Sequence, residues 1–244
     1  MRNVKILIEY DGTNYHGWQM QPAGVTIQGV FTETLSRLDD RPVVVHGAGR
    51  TDAGAHAQGQ VANFLFHRPM TEPELLRALN GNLPPDIRVR AVTYVDPDFH
   101  ARLSAESKTY RYVFFLGLVV SPFIYRYVYH CIFPLDLDRI RTALPLFKGE
   151  HDFSNFAVGS HQRATTVRRV TELVTAHTGE KLEMQITANG FLRAMVRRIA
   201  GTLQEVGRGR LSLQAVEGLL HGETSVEAGP SLPAKGLTLV RVDY

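Results

Sequence analysis

Residues 43–66 read VVVHGAGRTDAGAHAQGQVANFLF and predict two strands joined by a loop of small residues. The apolar run at residues 43–46 enters the loop, and the apolar run at residues 60–66 leaves it. Glycines and alanines surround Arg50 and Asp52, so the backbone can bend sharply there and another molecule can come close. The pattern therefore predicts a loop that presents one guanidinium and one carboxylate.

The remainder of the chain predicts an α+β protein. Alternating or β-branched residues predict further strands at residues 4–10, 87–95, 108–116 and 237–244, and a hairpin of residues 165–177 and 181–189 around Thr178-Gly179-Glu180. Helical spacing and caps predict helices at residues 27–38 after Thr26, from the Thr71 and Glu74 capping box to Leu79, from Asp136 to Phe147, at 190–206 and at 213–220. This mixed order favours mostly antiparallel sheets flanked by helices. Similar content in both parts predicts two halves, residues 1–105 and 106–244.

Composition excludes several classes of protein. The longest apolar run, residues 113–120, is far shorter than the roughly 20 residues of a membrane helix. Residues 1–9 carry three charged side chains, unlike the apolar core of a signal peptide. The histidines lack zinc-ligand spacing, and neither a P-loop nor a G-x-S-x-G motif is present. A single cysteine, Cys131, excludes an intramolecular disulfide, fits a reducing compartment and is predicted to lie in the core.

Positive charge is concentrated in residues 160–210. The chain has a net charge of +3, whereas this segment alone carries nine Lys or Arg against four Glu. These nine residues are Arg163, Arg168, Arg169, Lys181, Arg193, Arg197, Arg198, Arg208 and Arg210. Such a segment is typical of a protein that binds a polyanion, and equally of a solvated surface.

Asp52 has two interpretations from the residues alone. It is either a turn residue that accepts hydrogen bonds from backbone N–H groups, or a nucleophile or base that Arg50 keeps ionised. The two residues could also form a structural ion pair. In the helix predicted at residues 190–206, an apolar stripe faces one way, while Arg193 and Arg197 lie together on the other side. These arginines are either solvated or line a basic cleft.

Six blocks of sequence resemble one family. GRTDAGAHAQGQVANF at residues 49–64 is similar to the signature of the TruA family of tRNA pseudouridine synthases. The other blocks follow that family's order: YDGTNYHGWQ (10–19), FHARLSAESKTYRY (99–112), GEHDFSNF (149–156), GFLRAMVRRIAG (190–201) and AKGLTL (234–239). Ala55 stands where the family usually has Val, and Ala200 where a larger aliphatic residue is common. Neither departure removes a reactive group.

The resemblance implies a pseudouridine synthase fold with a basic active-site cleft between the two halves. It implies that Asp52 is the nucleophile, that Arg50 assists base flipping and that Arg197 pairs with Asp52. Tyr110 would stack on the flipped uracil with its hydroxyl placed for proton transfer, and Leu237 would form a wall of the pocket. The basic segment adds candidate substrate-binding residues: Arg168, Arg169 and Arg193.

The implied enzyme is a cytoplasmic, homodimeric isomerase that acts on uridines 38, 39 and 40 of the tRNA anticodon stem-loop. It needs no cofactor, because the reaction exchanges a C–N bond for a C–C bond without net redox change. Whether the carboxylate attacks uracil C6 or ribose C1′ stays open. A non-catalytic RNA-binding module is the alternative, and the intact GRTDAG loop argues against it. A glycosidase-like hydrolase would need a second carboxylate, which this loop does not contain.

Overall fold

The computed structural model describes residues 1–159, 165–223 and 225–244. These residues form two compact units, one of residues 1–106 with 238–244 and one of residues 107–237. The sequence-based division assigns residues 238–244 to the second half. They lie in the first unit instead, because the last strand pairs with a strand of that unit.

The first unit begins with a small antiparallel sheet and two helices. Its elements in chain order are β1 (Arg2–Tyr10), α1 (Ile27–Asp39), β2 (His46–Gly47), β3 (His56–Phe66), α2 (Glu72–Asn82) and β4 (Ile87–Val95). Strand β1 lies between β3 and β4 and is antiparallel to both. Strand β2 pairs antiparallel with β3. The block of residues 49–64 therefore follows a short edge strand and runs into a long inner one.

Local sequence explains these elements. Val4, Ile6 and Ile8 of β1 are fully buried and alternate with more exposed neighbours, as a strand with one buried face requires. The Thr26 side chain accepts a hydrogen bond from the Gly29 N–H at the start of α1. Both hydrogen bonds of the predicted Thr71 capping box are present at α2, which packs on β4 and α1.

The two strands predicted on either side of Asp52 have different bounds in the structure. Residues 43–45 are not a strand, because their backbone groups bond to side chains of α1: Val43 N–H donates to Ser36 Oγ at 3.0 Å, and the Val45 carbonyl accepts from Gln28 Nε2 at 2.9 Å. Strand β3 begins at His56, four residues before the predicted start. Its added residues pair with β1 and with the last strand of the chain.

The second unit carries the predicted hairpin. Its elements are β5 (Ser107–Phe115), β6 (Tyr129–His130), α3 (Leu137–Ala143), β7 (Gly149–Asp152), β8 (Val167–Thr178), β9 (Lys181–Ala188), α4 (Met195–Gly207) and α5 (Leu213–Leu220). Strands β5, β9, β8 and β7 lie in that order and pair antiparallel, and β6 pairs parallel with β5. Gly179 occupies the turn with φ +57°, a left-handed conformation that suits glycine.

Two helix predictions in this unit need correction. Helix α3 ends at Ala143 and continues as a 3-10 turn over Leu144–Phe147, because Pro145 has no N–H to extend the α-helical pattern. Helix α4 begins at Met195 rather than Gly190, because Ala194 has left-handed backbone with φ 60°. Arg193 therefore precedes the helix, and its predicted position one turn before Arg197 on a shared helical face is wrong.

The last strand, β10 (Leu237–Asp243), returns to the first unit. Thr238 and Leu239 pair parallel with His56 and Ala57 at the start of β3. Antiparallel pairs predominate in both units, with helices packed around them, so the predicted α+β class is confirmed. Among the described residues, no helix is long and apolar enough to cross a bilayer.

Candidate active site

Residues 48–55, which we call the Asp52 loop, connect β2 to β3. The Asp52 side chain is half-buried and Arg50 is exposed. A tight turn follows Asp52, in which Ala55 N–H donates to the Asp52 carbonyl at 3.1 Å and Gly54 takes φ +77°. The carboxylate thus lies on a sharply bent, partly open part of the backbone, where only small side chains follow it.

The segment of residues 10–19 packs directly against this loop. A Cβ on Gly12 would lie 1.9 Å from the Ala55 carbonyl oxygen, and a Cβ on Gly17 would lie 2.5 Å from the Thr51 carbonyl oxygen. Trp18 N–H also donates to that Thr51 oxygen, at 3.1 Å. Two of the sequence blocks are therefore in backbone contact, and glycine is required where they meet.

Buried side chains hold the loop on both sides of Arg50. The Tyr10 hydroxyl lies 2.8 Å from Thr51 Oγ1, and Gln60 Nε2 donates to the Gly49 carbonyl at 2.9 Å. Tyr10 and Gln60 are both buried. Burial raises the pKa of Tyr10 to about 12, although hydrogen bonds with Thr51 and Gln60 oppose the shift. The phenol is therefore neutral at physiological pH.

Arg50 contacts the 10–19 segment. Its Nε donates to Gln19 Oε1 at 3.0 Å. The sequence alone suggested Asp52 as the natural partner of Arg50, either as an ion pair or as a charge that keeps the carboxylate ionised. The structure thus gives Arg50 a hydrogen-bond partner, Gln19, that the sequence did not suggest.

Tyr110 lies on β5 in the second unit and is 6% exposed. Its ring makes an edge-to-face contact with Phe191, with centroids 5.0 Å apart. Two residues on, the hydroxyl of the buried Tyr112 donates to the Pro233 carbonyl at 2.9 Å. The KTYRY block is thus in contact with the GFLRAM block and with the residue before AKGLTL. Burial fits a core role for Tyr110, and the Phe191 contact orients its ring.

Arg197 lies in the first turn of α4 and is half-buried. Its Nε donates to the Leu232 carbonyl at 2.5 Å. Arg193 is exposed and lies on the non-helical segment before α4, where its carbonyl accepts from Val158 N–H at 3.1 Å. Leu237, the first residue of β10, is buried. The sequence placed Arg193 and Arg197 on one helix face. In the structure only Arg197 is helical, and it is half-buried whereas Arg193 is exposed.

Arg168 and Arg169 are also unlike one another. They are consecutive residues of β8, so their side chains point to opposite faces of the strand. Arg168 is half-buried, and its Nη1 donates to the Thr165 carbonyl at 3.1 Å. Arg169 is exposed. A ligand that binds one face of this strand therefore cannot contact both side chains in the same way.

Other arginines of the basic segment have structural partners. Arg198 donates to the carbonyl oxygens of Ala157 at 3.1 Å and Gly229 at 3.4 Å. Arg208 pairs with Glu205 at 2.8 Å and lies over the Phe133 ring. Arg163 lies outside the described residues. The charge count of this segment thus overstates the positive charge available to a polyanion.

Besides the Asp52 loop, the sequence contains possible metal-ligating side chains and a single cysteine, Cys131. Within residues 1–159, 165–223 and 225–244, no group of three His, Cys, Asp or Glu side chains could hold a metal ion. Cys131 is buried, which raises the pKa of its thiol and confirms its predicted core position. A cavity of about 610 Å³ in the second unit is lined in part by Phe115, Ile124 and Lys181, and none of its lining residues is a candidate site residue.

Sequence reasoning missed the residues that support the Asp52 loop. Tyr10, Trp18 and Gln60 bond to it from three different parts of the first unit. Their only signal was that YDGTNYHGWQ and GRTDAGAHAQGQVANF both resemble blocks of one family. A resemblance in chain order gives no distance between two blocks, so the contact between them had to come from the structure.

Comparisons with known proteins agree with the resemblance. The profile of a family described as tRNA pseudouridine synthase matches residues 6–103 and 143–244. Proteins named tRNA pseudouridine synthase A are similar over the whole chain and their own whole length: those of Solibacter usitatus at 42% identity, Geotalea uraniireducens at 41% and Acetivibrio thermocellus at 40%. A chain from the crystal structure of a Cbf5-Nop10-Gar1 complex aligns with 97% of this chain and 48% of its own, at a TM-score of 0.39 and 10% identity. That last likeness is too remote to carry an argument.

Proposed function

The chain belongs to the tRNA pseudouridine synthase family, and on that premise we propose that it isomerises uridine to pseudouridine in the tRNA anticodon stem-loop, at positions 38, 39 and 40. The observation that best supports this proposal is the Asp52 loop. It presents a half-buried carboxylate among glycines and alanines, and hydrogen bonds from buried residues hold its backbone. Such a loop offers a fixed reactive group, and its small residues allow another molecule to come close.

In the proposed reaction, Asp52 is the nucleophile. The bond between ribose C1′ and uracil N1 breaks, a bond between C1′ and C5 forms, C5 loses its proton and N1 gains one. The atoms and the oxidation level are unchanged, so the reaction requires no cofactor. Asp52 adds either to uracil C6 or to ribose C1′, and release of the C5 proton follows in both cases.

Reaching the base requires that it leave the stack, which costs a few kcal/mol and is least costly in a loop or at a stem end. We assign Arg50, which is an exposed residue of the loop, to assist flipping. Tyr110 supplies the stacking surface and places its hydroxyl for proton transfer, with Phe191 orienting the ring. Arg197 pairs with Asp52, and Leu237 forms a wall of the pocket. The resemblance supports these last two roles.

Contacts with the RNA backbone are assigned to arginines of the second unit. Arg169 and Arg193 are exposed, so their guanidinium groups can reach phosphates. Arg168 is the weaker candidate, because its guanidinium already donates to the Thr165 carbonyl. Neutralising phosphates makes binding depend on salt.

The decisive experiment replaces Asp52 with Asn. We expect tritium release from C5-labelled uridine in tRNA to fall by at least about 1,000-fold, since loss of a nucleophile leaves only binding and flipping. The affinity for tRNA should stay within about threefold, because one carboxylate is small beside many phosphate contacts. The matched control is Asp40→Asn, an exposed aspartate with φ 52°, a backbone conformation that asparagine tolerates.

Two outcomes would overturn parts of this proposal. Undiminished tritium release by Asp52→Asn would remove Asp52 from the chemistry and leave the RNA-binding module as the better account. For the substrate, stem-loops with cytidine replacing uridine at 38, 39 or 40 should lose product only at the replaced position. Product that persists unchanged after all three replacements would place the target elsewhere in tRNA.

We further propose that the enzyme is a cytoplasmic homodimer. The family resemblance implies both properties, and exposed apolar side chains of the second unit support the dimer. Leu118, Phe123 and Ile132 are 90%, 89% and 73% exposed, an unusual concentration of apolar side chains within 15 residues of chain. Sedimentation should give twice the chain mass of 27.3 kDa, and Phe123→Asp should shift it toward the monomer. A wild-type protein that sediments as a monomer at micromolar concentration would exclude the dimer.

A further inference from the structure

Tyr10, the last residue of β1, connects the first-unit sheet to the Asp52 loop. Its side chain is 4% exposed, and its ring contacts Trp18 with centroids 6.4 Å apart. Its hydroxyl lies 2.8 Å from Oγ1 of Thr51, the residue directly before Asp52. Thr51 is itself buried, so water does not easily replace this hydrogen bond.

Gln60 completes the connection. Its side chain is fully buried, and its Nε2 donates to the Gly49 carbonyl at 2.9 Å. Tyr10 and Gln60 thus hold Thr51 and Gly49, the two neighbours of Arg50. The Thr51 carbonyl is held separately by Trp18 N–H, and Gly54 N–H donates to the Tyr15 carbonyl.

These contacts matter because the loop itself is poor in restraints. It is built of glycine and alanine around its two charged residues, and glycine leaves the backbone free to adopt many conformations. A nucleophile must approach its target atom to about 3–3.5 Å, and a displacement of about 1 Å can cost roughly 100-fold in rate. The residues that bond to the loop therefore help to fix the position of Asp52.

We propose that Tyr10 and Gln60 are positioning residues for Asp52, acting through the hydrogen bonds of the Tyr10 hydroxyl to Thr51 and of Gln60 to Gly49. The inference rests on the proposed function, in which Asp52 is the nucleophile. The Tyr10 side chain is buried and its hydroxyl is bonded to Thr51, so its proposed role is structural. Its contribution is to hold the Asp52 carboxylate at the distance from the target atom that the reaction requires.

The test removes the hydroxyl and keeps the ring. With Tyr10→Phe, kcat for tritium release should fall by about 10- to 100-fold, the effect of a displaced reactive group. KM and the affinity for tRNA should change by less than about twofold, because no phosphate contact is lost. Thr51→Val should give the same kcat loss, and Thr51→Ser, which keeps the hydroxyl, should restore most of the activity.

The matched control is Tyr94→Phe. The Tyr94 hydroxyl also donates to a backbone carbonyl within the first unit, that of Met70, but it is bound to residues outside the Asp52 loop. Tyr94→Phe should therefore keep the wild-type kcat, even if the variant unfolds at a lower temperature. An equal kcat loss in Tyr94→Phe would show that Tyr10 acts only through stability, and would overturn the inference.

The double variant Tyr10→Phe with Thr51→Val gives a second readout. Both changes remove the same hydrogen bond, so the double variant should be no slower than either single one. Multiplied losses would contradict the proposed connection. Asp52→Asn is measured in parallel: activity that survives in it defeats the proposed chemistry, whereas an inactive Asp52→Asn beside a fully active Tyr10→Phe defeats the positioning role alone.

Discussion

The Asp52 loop and the arginine-rich segment of residues 165–210 are held in different ways. The loop has few side chains of its own, and the residues beneath it supply its hydrogen bonds, from Tyr10, Trp18 and Gln60. The arginine segment has many long side chains, and several of them fold back to support the second unit, as Arg198 and Arg208 do. The candidate site is thus held by neighbouring residues, whereas the arginine-rich segment has some side chains that support the unit and others that are exposed.

This comparison gives a first prediction, with the largest effect, for Gly12→Ala. The new Cβ would lie 1.9 Å from the Ala55 carbonyl oxygen, and a backbone atom cannot move aside cheaply. We expect the free energy of unfolding to fall by about 2–3 kcal/mol, as in overpacked sites, and tritium release to fall with it. Urea unfolding and the release assay measure the two effects.

The control for that change is Gly81→Ala on α2. A Cβ at Gly81 meets nothing within 4 Å, so alanine should raise stability by up to about 1 kcal/mol through helix propensity. Stable, active Gly12→Ala protein would mean that close backbone contact does not hold the loop. The Asp52 loop would then depend on its neighbours no more strongly than the arginine-rich segment does.

Arg198→Ala tests the supporting arginines. Its removal leaves the carbonyls of Ala157 and Gly229 without these hydrogen bonds, so we expect a loss of about 1–3 kcal/mol in unfolding free energy. The tRNA affinity of the folded protein and its salt dependence should stay within about twofold. A flattened salt dependence would instead show that Arg198 contacts phosphate, and would return it to the binding surface.

The smallest effect is expected for Arg169→Ala. An exposed arginine contributes little to stability, so the unfolding free energy should change by less than about 0.5 kcal/mol. Loss of one phosphate contact should reduce the slope of log affinity against log salt by about 1. Filter binding of tRNA at several salt concentrations measures this slope.

Arg168→Ala is the matched neighbour of that variant. Its side chain lies on the opposite face of β8 and donates to the Thr165 carbonyl, so its effect on the salt slope should be the smaller of the two. A larger slope change for Arg168 than for Arg169 would place the RNA on the other face of the strand. Equal slopes in both variants and wild type would remove β8 from the interface.

Much of the fold was readable where one segment carries its own signal. The alternation in β4, the Thr26 cap of α1 and the Thr71 capping box are local patterns, and all are present. The failures occur where a distant group decides. Val43 and Val45 look like a strand but bond to side chains of α1, and the left-handed backbone of Ala194 delays the start of α4.

Part of the candidate site could likewise be predicted from local sequence, and part depended on distant residues. By itself, the sequence determined the α+β class, the loop that carries Asp52 and, through ordered blocks, the family, because strand alternation, helix caps and motif order are properties of the chain. The tertiary structure decided which groups hold that loop and which arginines remain exposed. Hydrogen bonds between Tyr10 and Thr51, or between Arg198 and Gly229, join residues tens of positions apart, and such contacts exist only once the chain has folded.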